Sequence, residues 1–108
     1  MNEWDKMVAG QPYYAGDPYL AAARTRAREL LKSFNDSPPA DAEVRAALLA
    51  ELFGKVGVNL WIEPPFYCDY GTNITVGRDV FFNFNCVVLD VAPVTIGDLV
   101  LAGPGVHI

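Results

Sequence analysis

Val76-Gly77-Arg78-Asp79-Val80-Phe81, Ile96-Gly97-Asp98-Leu99-Val100-Leu101 and Ala102-Gly103-Pro104-Gly105-Val106-His107 share one pattern. Each has an aliphatic or small apolar residue, a glycine, two variable positions, a second small aliphatic and one more residue. Outward from these, Cys68, Ile74, Val80 and Cys86 fall six apart, and after two extra residues the series resumes at Val94, Val100 and Val106. A second series sits two places later, at Val76, Phe82, Val88, Ile96, Ala102 and Ile108. A short fixed period marks a solenoid, and hexapeptides predict a parallel β-helix. Three hexapeptides would close a triangular coil of about 18 residues. Each inward aliphatic then stacks on its equivalent about 4.8 Å away. Glycine or asparagine serves corners that need positive φ or close packing. An antiparallel sheet shares the period-two alternation but does not explain why the glycines return in phase.

This register makes Cys68 and Cys86 neighbours in one inward stack, and free buried thiols are preferred to a disulfide. The two extra residues fall in Asp90–Pro93, where a break in the period reads as an outward loop that commonly lines a site.

Before about residue 56 the composition is different, rich in Ala, Leu, Arg and Glu with few β-branched residues. Asp17-Pro18 is a start signal, with a carboxylate to accept from first-turn amides and a proline suited to the first helical position. The helix that follows carries an apolar stripe of Leu20, Ala23, Ala27, Leu30, Leu31 and Phe34, with Arg24 and Arg28 beside it. Asn35-Asp36-Ser37-Pro38-Pro39 breaks it. A second helix is predicted from about Asp41 to Phe53, burying Val44, Leu48, Leu49, Leu52 and Phe53 and stopped by Gly54. A shorter one is predicted over Asn2–Ala9, ended by Gly10.

The chain has 108 residues and a net charge of −5, which suits one domain and offers little to phosphate backbones. No apolar run approaches the ~18–20 residues that span a bilayer, and the N-terminus lacks the character of a secretory signal. Nucleic acid and membrane are therefore poor partners, and the cytoplasm is the expected location.

A helical segment followed by hexapeptides resembles the maltose and galactoside O-acetyltransferases, over essentially the whole chain. The likeness is carried by Lys6-Met7-Val8-Ala9-Gly10, Ala23-Arg24-Thr25-Arg26-Ala27-Arg28, Phe34-Asn35, the stretch from Ile62-Glu63-Pro64-Pro65 to Cys68-Asp69-Tyr70-Gly71, and Asn83-Phe84-Asn85-Cys86. Cys-Asp-Tyr-Gly and the final Ala-Gly-Pro-Gly-Val-His-Ile are closer to the maltose branch. The resemblance implies an α+β fold, with a helical domain over residues 1–55 and the first coils of a left-handed β-helix over 56–108, truncated before completion. It also implies acetyl transfer from acetyl-CoA to a sugar hydroxyl without a metal, in a homotrimer with sites between neighbouring β-helices. A histidine acts as general base in such chemistry, its pKa lying near neutrality.

His107, the lone histidine, matches an earlier family position that varies, whereas the family's base follows in a later Thr-His-Pro. His107 should point outward between Val106 and Ile108. The base, and most of the acetyl-CoA site, are thus expected beyond Ile108, so the chain is read as an N-terminal fragment inactive by itself. Asp69, Asn83 and Arg24 match acceptor-binding positions, and Asp90 falls in an acidic stretch of that pocket. Each also has a structural reading: polar corner for Asp69, left-handed corner for Asn83, helix-surface charge for Arg24. Asp17 is read as a helix cap. Two other classes stay open, a zinc-dependent carbonic anhydrase, which needs three histidines, and a non-catalytic trimerisation or binding module.

Overall fold

The structure is a computed structural model and describes residues 1–108. Three helices, α1 (Glu3–Val8), α2 (Pro18–Asn35) and α3 (Ala42–Leu52), precede eight strands of two or three residues. The strands are β1 (Lys55–Val56), β2 (Trp61–Ile62), β3 (Phe66–Cys68), β4 (Ile74–Val76), β5 (Phe81–Phe82), β6 (Cys86–Val88), β7 (Val94–Ile96) and β8 (Leu101–Ala102). They form three parallel sheets in the orders β1-β4-β7, β2-β5-β8 and β3-β6, the faces of a triangular solenoid. The Val87–His107 bridge extends the third face by one rung. The hexapeptide prediction of a parallel β-helix holds, and its left hand is that of its structural neighbours.

The coil length differs from expectation. Lys55 pairs with Thr75, Trp61 with Phe81, Phe66 with Cys86 and Ile74 with Val94, so each turn takes 20 residues. The two extra residues are no isolated break. They recur at one corner of both coils, in the loops 69–73 and 89–93. In the first coil the insertion is hidden because Cys68 happens to lie six residues before Ile74. The cysteine stack is corrected accordingly: Cys68 pairs with Val88 and Cys86 with Phe66. Both cysteines are free, and Cys86 Sγ donates to the Gly103 carbonyl at 3.3 Å.

None of the in-phase glycines Gly77, Gly97 and Gly103 takes a positive φ. Positive φ occurs at Asn59, Asp79 and Leu99, which are corresponding corner residues, and at Asn85 and Gly105. Gly57 and Gly77 serve close packing instead, since a Cβ on Gly57 would strike the Gly77 carbonyl and one on Gly77 the Asp98 side chain.

The helices form as predicted. Asp17 accepts from the Tyr19 and Leu20 amides at 3.0 and 3.3 Å, Asn2 caps α1 and Asp41 caps α3. The inner face of α3 is the exception. Arg45 is buried there while Val44 is 43% exposed. Because α3 is apolar around most of its circumference, its pattern does not select one face. Arg45 Nε donates to Ser37 Oγ at 2.9 Å, and its guanidinium lies 5.8 Å from the Trp61 ring centroid.

Ala27, Leu31, Phe34, Leu49 and Leu52 join Ile62, Phe66, Ile74, Phe82 and Val88 in one continuous core. The helices therefore lie over the open first coil and keep its apolar cross-section from water. A smaller core of Met7, Leu20 and Tyr70 attaches α1. No helix is long and apolar enough to cross a membrane.

Candidate functional site

The third face, β3-β6 with the His107 bridge, has a corner at each side, and three of the four predicted acceptor residues gather at one of them. The loop 69–73 leaves β3 and the loop 89–93 leaves β6, stacked one above the other. Asp90 connects them. Its Oδ1 accepts from the Asp69 and Tyr70 amides at 3.1 and 2.9 Å, its Oδ2 from the Asn73 amide at 3.2 Å, and its carbonyl from Asn73 Nδ2 at 2.8 Å. With no exposed surface, the carboxylate meets backbone rather than solvent. Burial pushes its pKa up, and the amide hydrogen bonds oppose that rise without cancelling it. In this geometry Asp90 positions the corner and has no open edge toward an acceptor.

Asp69 is half-buried at the same corner. Desolvation raises its pKa, and the positive charges of Arg24 and Arg28 pull in the other direction. Arg24 is held by two bonds. Nη1 donates to Tyr70 Oη and Nη2 to the Ala15 carbonyl, both at 2.9 Å. The arginine thus ties α2 to the loop and keeps a cation near the Asp69 carboxylate. A carboxylate beside a fixed guanidinium suits recognition of vicinal hydroxyls, accepting from one while the cation donates to another.

Asn83 stands at the opposite side of the face, between β5 and β6. It is half-buried, and its Oδ1 accepts from the Phe84 amide at 2.8 Å. The left-handed corner falls on Asn85 (φ 61°) and not on Asn83. Within one chain Asn83 is therefore on the far side of the face from Asp69, Arg24 and Asp90. Between them run the outward-facing residues Tyr67, Val87 and His107, one per coil, with Tyr67 and His107 exposed.

Two contributors went unassigned in the sequence. Tyr70, an aromatic that could pack on a sugar face, in the core or at a trimer contact, is 3% exposed and its hydroxyl anchors Arg24. Asn35 clamps Phe66, accepting from its amide at 2.8 Å and donating to its carbonyl at 3.0 Å. The 20-residue spacing that stacks the two loops would have flagged Tyr70, but that spacing was masked by Cys68. No group of three or more His, Cys, Asp or Glu side chains is placed to hold a metal ion.

Residues 6–57 match the maltose acetyltransferase hexapeptide capping motif. Nodulation protein L of Rhizobium leguminosarum bv. viciae is 48% identical over 107 residues, covering 99% of this chain and 56% of that protein. A maltose O-acetyltransferase from Clostridium difficile 630 superposes with a TM-score of 0.98 at 40% identity, covering 99% of this chain and 57% of its own. A hexapeptide-repeat acetyltransferase from Vibrio cholerae, complexed with acetyl coenzyme A, superposes with a TM-score of 0.87 at 41% identity, again over 99% and 57%. The chain thus spans a little over half the length of the relatives it matches. With the capping motif over its helices and a three-faced hexapeptide coil beneath them, it belongs to the maltose acetyltransferase family of hexapeptide-repeat proteins.

Proposed function

We propose that this chain forms the acceptor side of an acetyl-CoA-dependent O-acetyltransferase that modifies a sugar hydroxyl in the cytoplasm. The observation that carries the reading is the superposition on the maltose O-acetyltransferase over 99% of the chain. Acetyl-CoA supplies the activated acetyl group. The chain's own residues bind and orient the acceptor: Asp69 accepts from a sugar hydroxyl, Arg24 holds Tyr70 and the loop in place, and Asp90 fixes the corner beneath them. Asn83, on the other side of the face, serves an acceptor bound between two copies. That arrangement calls for a homotrimer, in which one copy contributes the Asp69 corner and its neighbour the Asn83 corner.

His107 is exposed on a flat outward face with no hydrogen-bond partner to orient its ring. A general base needs a fixed imidazole within reach of the attacking hydroxyl. We therefore assign the base, and most of the acetyl-CoA site, to sequence beyond Ile108, and expect the 108 residues alone to be inactive.

The test is thiol release from acetyl-CoA by a protein that continues this chain through its further coils, offered maltose, glucose and galactosides. Turnover with at least one sugar is the expected result. Sugar binding and trimer formation without turnover would instead favour a non-catalytic binding module. Turnover by the 108-residue chain itself would overturn the placement of the base.

A further inference from the structure

Arg24, Arg28 and Lys32 lie four residues apart along α2, so they fall on one stripe with about 6 Å of rise between neighbours. In a chain of net charge −5 this is a concentration of the minority sign. Arg24 is already committed to Tyr70 and Ala15. Arg28 has neither a hydrogen bond nor an ion pair within the chain, although it lies close enough for its field to act on the Asp69 carboxyl. Lys32 reaches Asp36 at 3.5 Å, but both side chains are largely exposed (82% and 69%). An exposed pair of that kind is weak and leaves the ammonium free to turn elsewhere.

Arg28 and Lys32 line a cavity of about 370 Å³ whose other walls are Leu31, Asn35, Asp36 and Tyr67. Buried Leu31 belongs to the core, and the Asn35 amide is taken up by Phe66. Arg28, Lys32 and the 52%-exposed Tyr67 are left to face a ligand. Tyr67 is the first outward residue of the face that leads to Asp69, so the cavity adjoins the acceptor corner. A guanidinium fork, an ammonium and a phenol hydroxyl are a donor set for an oxyanion, not for a neutral ring.

We propose that Arg28, Lys32 and Tyr67 form a subsite for an anionic substituent, a carboxylate or phosphate monoester, carried by the acceptor carbohydrate. The proposal rests on the acceptor reading of Asp69 and Asn83. It extends that reading from neutral sugars to sugar acids and sugar phosphates. Asp36, also on the wall, is the exposed carboxylate that Lys32 reaches at 3.5 Å.

Binding is followed by amide chemical shifts on the chain, with glucose, glucuronate, glucose 6-phosphate, inorganic phosphate and CoA as separate ligands. The phosphorylated sugar should bind about tenfold more tightly than glucose at low salt, and the ratio should shrink several-fold as the Debye length falls from about 20 Å to about 6 Å. In the Arg28→Gln/Lys32→Gln double variant the ratio should fall to about one, since the charge partners are gone. The salt dependence of the unaltered chain tests the same point without any substitution.

Equal binding of glucose and glucose 6-phosphate, or an advantage that survives the double variant, overturns the subsite. Inorganic phosphate or CoA binding at Arg28 as tightly as the sugar phosphate overturns its assignment to the acceptor. Glucose shifting the Asp69 or Asn83 amides without discrimination overturns the subsite alone. Shifts confined to Arg28 overturn the acceptor reading and the proposal with it, as does an absence of binding by every sugar.

Discussion

The Asn35 side-chain amide pairs with both backbone groups of Phe66, accepting at 2.8 Å and donating at 3.0 Å. This is the bonding a neighbouring strand would supply. β3 has β6 on one side and no strand on the other, so Asn35 satisfies an edge that the first coil would otherwise leave open. The last residue of α2 is in this sense a one-residue rung.

Asn35→Ala leaves a buried edge unpaired and should destabilise the fold by about 1–3 kcal/mol. Urea unfolding measures the loss, and hydrogen exchange at the Phe66 amide should quicken by more than exchange elsewhere. A change under about 0.5 kcal/mol would show that water replaces the amide without cost.

Gly77 and Gly97 hold the same position in consecutive coils yet have opposite surroundings. A Cβ on Gly77 would come within 2.8 Å of the Asp98 backbone nitrogen, whereas one on Gly97 meets nothing within 4 Å. Gly77→Ala should cost about 1–3 kcal/mol through overpacking. Gly97→Ala should be neutral or stabilising by up to about 1 kcal/mol, because alanine narrows the unfolded ensemble. In a protein whose next coil stacks on Gly97 the two penalties should converge. Thermal melts of both variants in both contexts check this, and a costly Gly97→Ala in the 108-residue chain would contradict the open rung.

Leu99 is a large side chain at φ 60° and 63% exposed. Its counterparts in the two earlier coils are Asn59 and Asp79, residue types that tolerate the left-handed region. Leu99→Asn should relieve about 1 kcal/mol of backbone strain, raising Tm by about 4–8 °C in a domain of this size. A lower Tm would mean that the leucine's packing outweighs its backbone conformation.

Asp90→Asn must set its NH2 against either the Asp69 and Tyr70 amides or the Asn73 amide, and should destabilise the corner by about 1–3 kcal/mol. The pH dependence follows from the raised pKa of the buried carboxyl. A folded-state pKa above the unfolded value contributes stability that is present below the unfolded pKa, about 3.9, and lost as pH climbs through the folded value. The penalty of Asp90→Asn should therefore be greater near pH 4 than near pH 7. Urea midpoints at the two pH values decide it. A penalty that grows with pH would show that the three amides outweigh burial.

Cys68 is held in its thiol form by burial first and by the Asp90 and Asp69 charges second. It should react with iodoacetamide far more slowly than a free thiol at neutral pH, since the thiolate is the nucleophile. Asp69→Asn should leave the reaction slow, because burial is the larger cause. A fast reaction in the folded chain would show that the corner opens.

The helices were legible residue by residue because their signals are local. Asp17-Pro18 declares its own helix start, and Leu20, Ala23, Ala27, Leu31 and Phe34 repeat every three or four residues. The hexapeptide period was equally plain, since each inward residue reports on its own strand. The coil length was not. Six-residue spacing is a property of one strand and corner, whereas 20-residue spacing is a property of closure, and Cys68 fell by chance into the wrong series. Val44 and Arg45 were exchanged for a related reason, since a helix apolar on most sides names no inner face.

By itself, the sequence determined the capped helices, the parallel hexapeptide coil and the candidates Arg24, Asp69, Asn83 and Asp90. Tertiary structure decided what each of them does. It put Asp90 out of solvent and onto three amides, joined Arg24 to Tyr70 across 46 positions, and carried Asn83 to the far side of the face. It also left Arg28 without a partner beside Tyr67. A side chain's chemical type is written in the chain, but its solvation and its partners depend on which distant backbone closes over it.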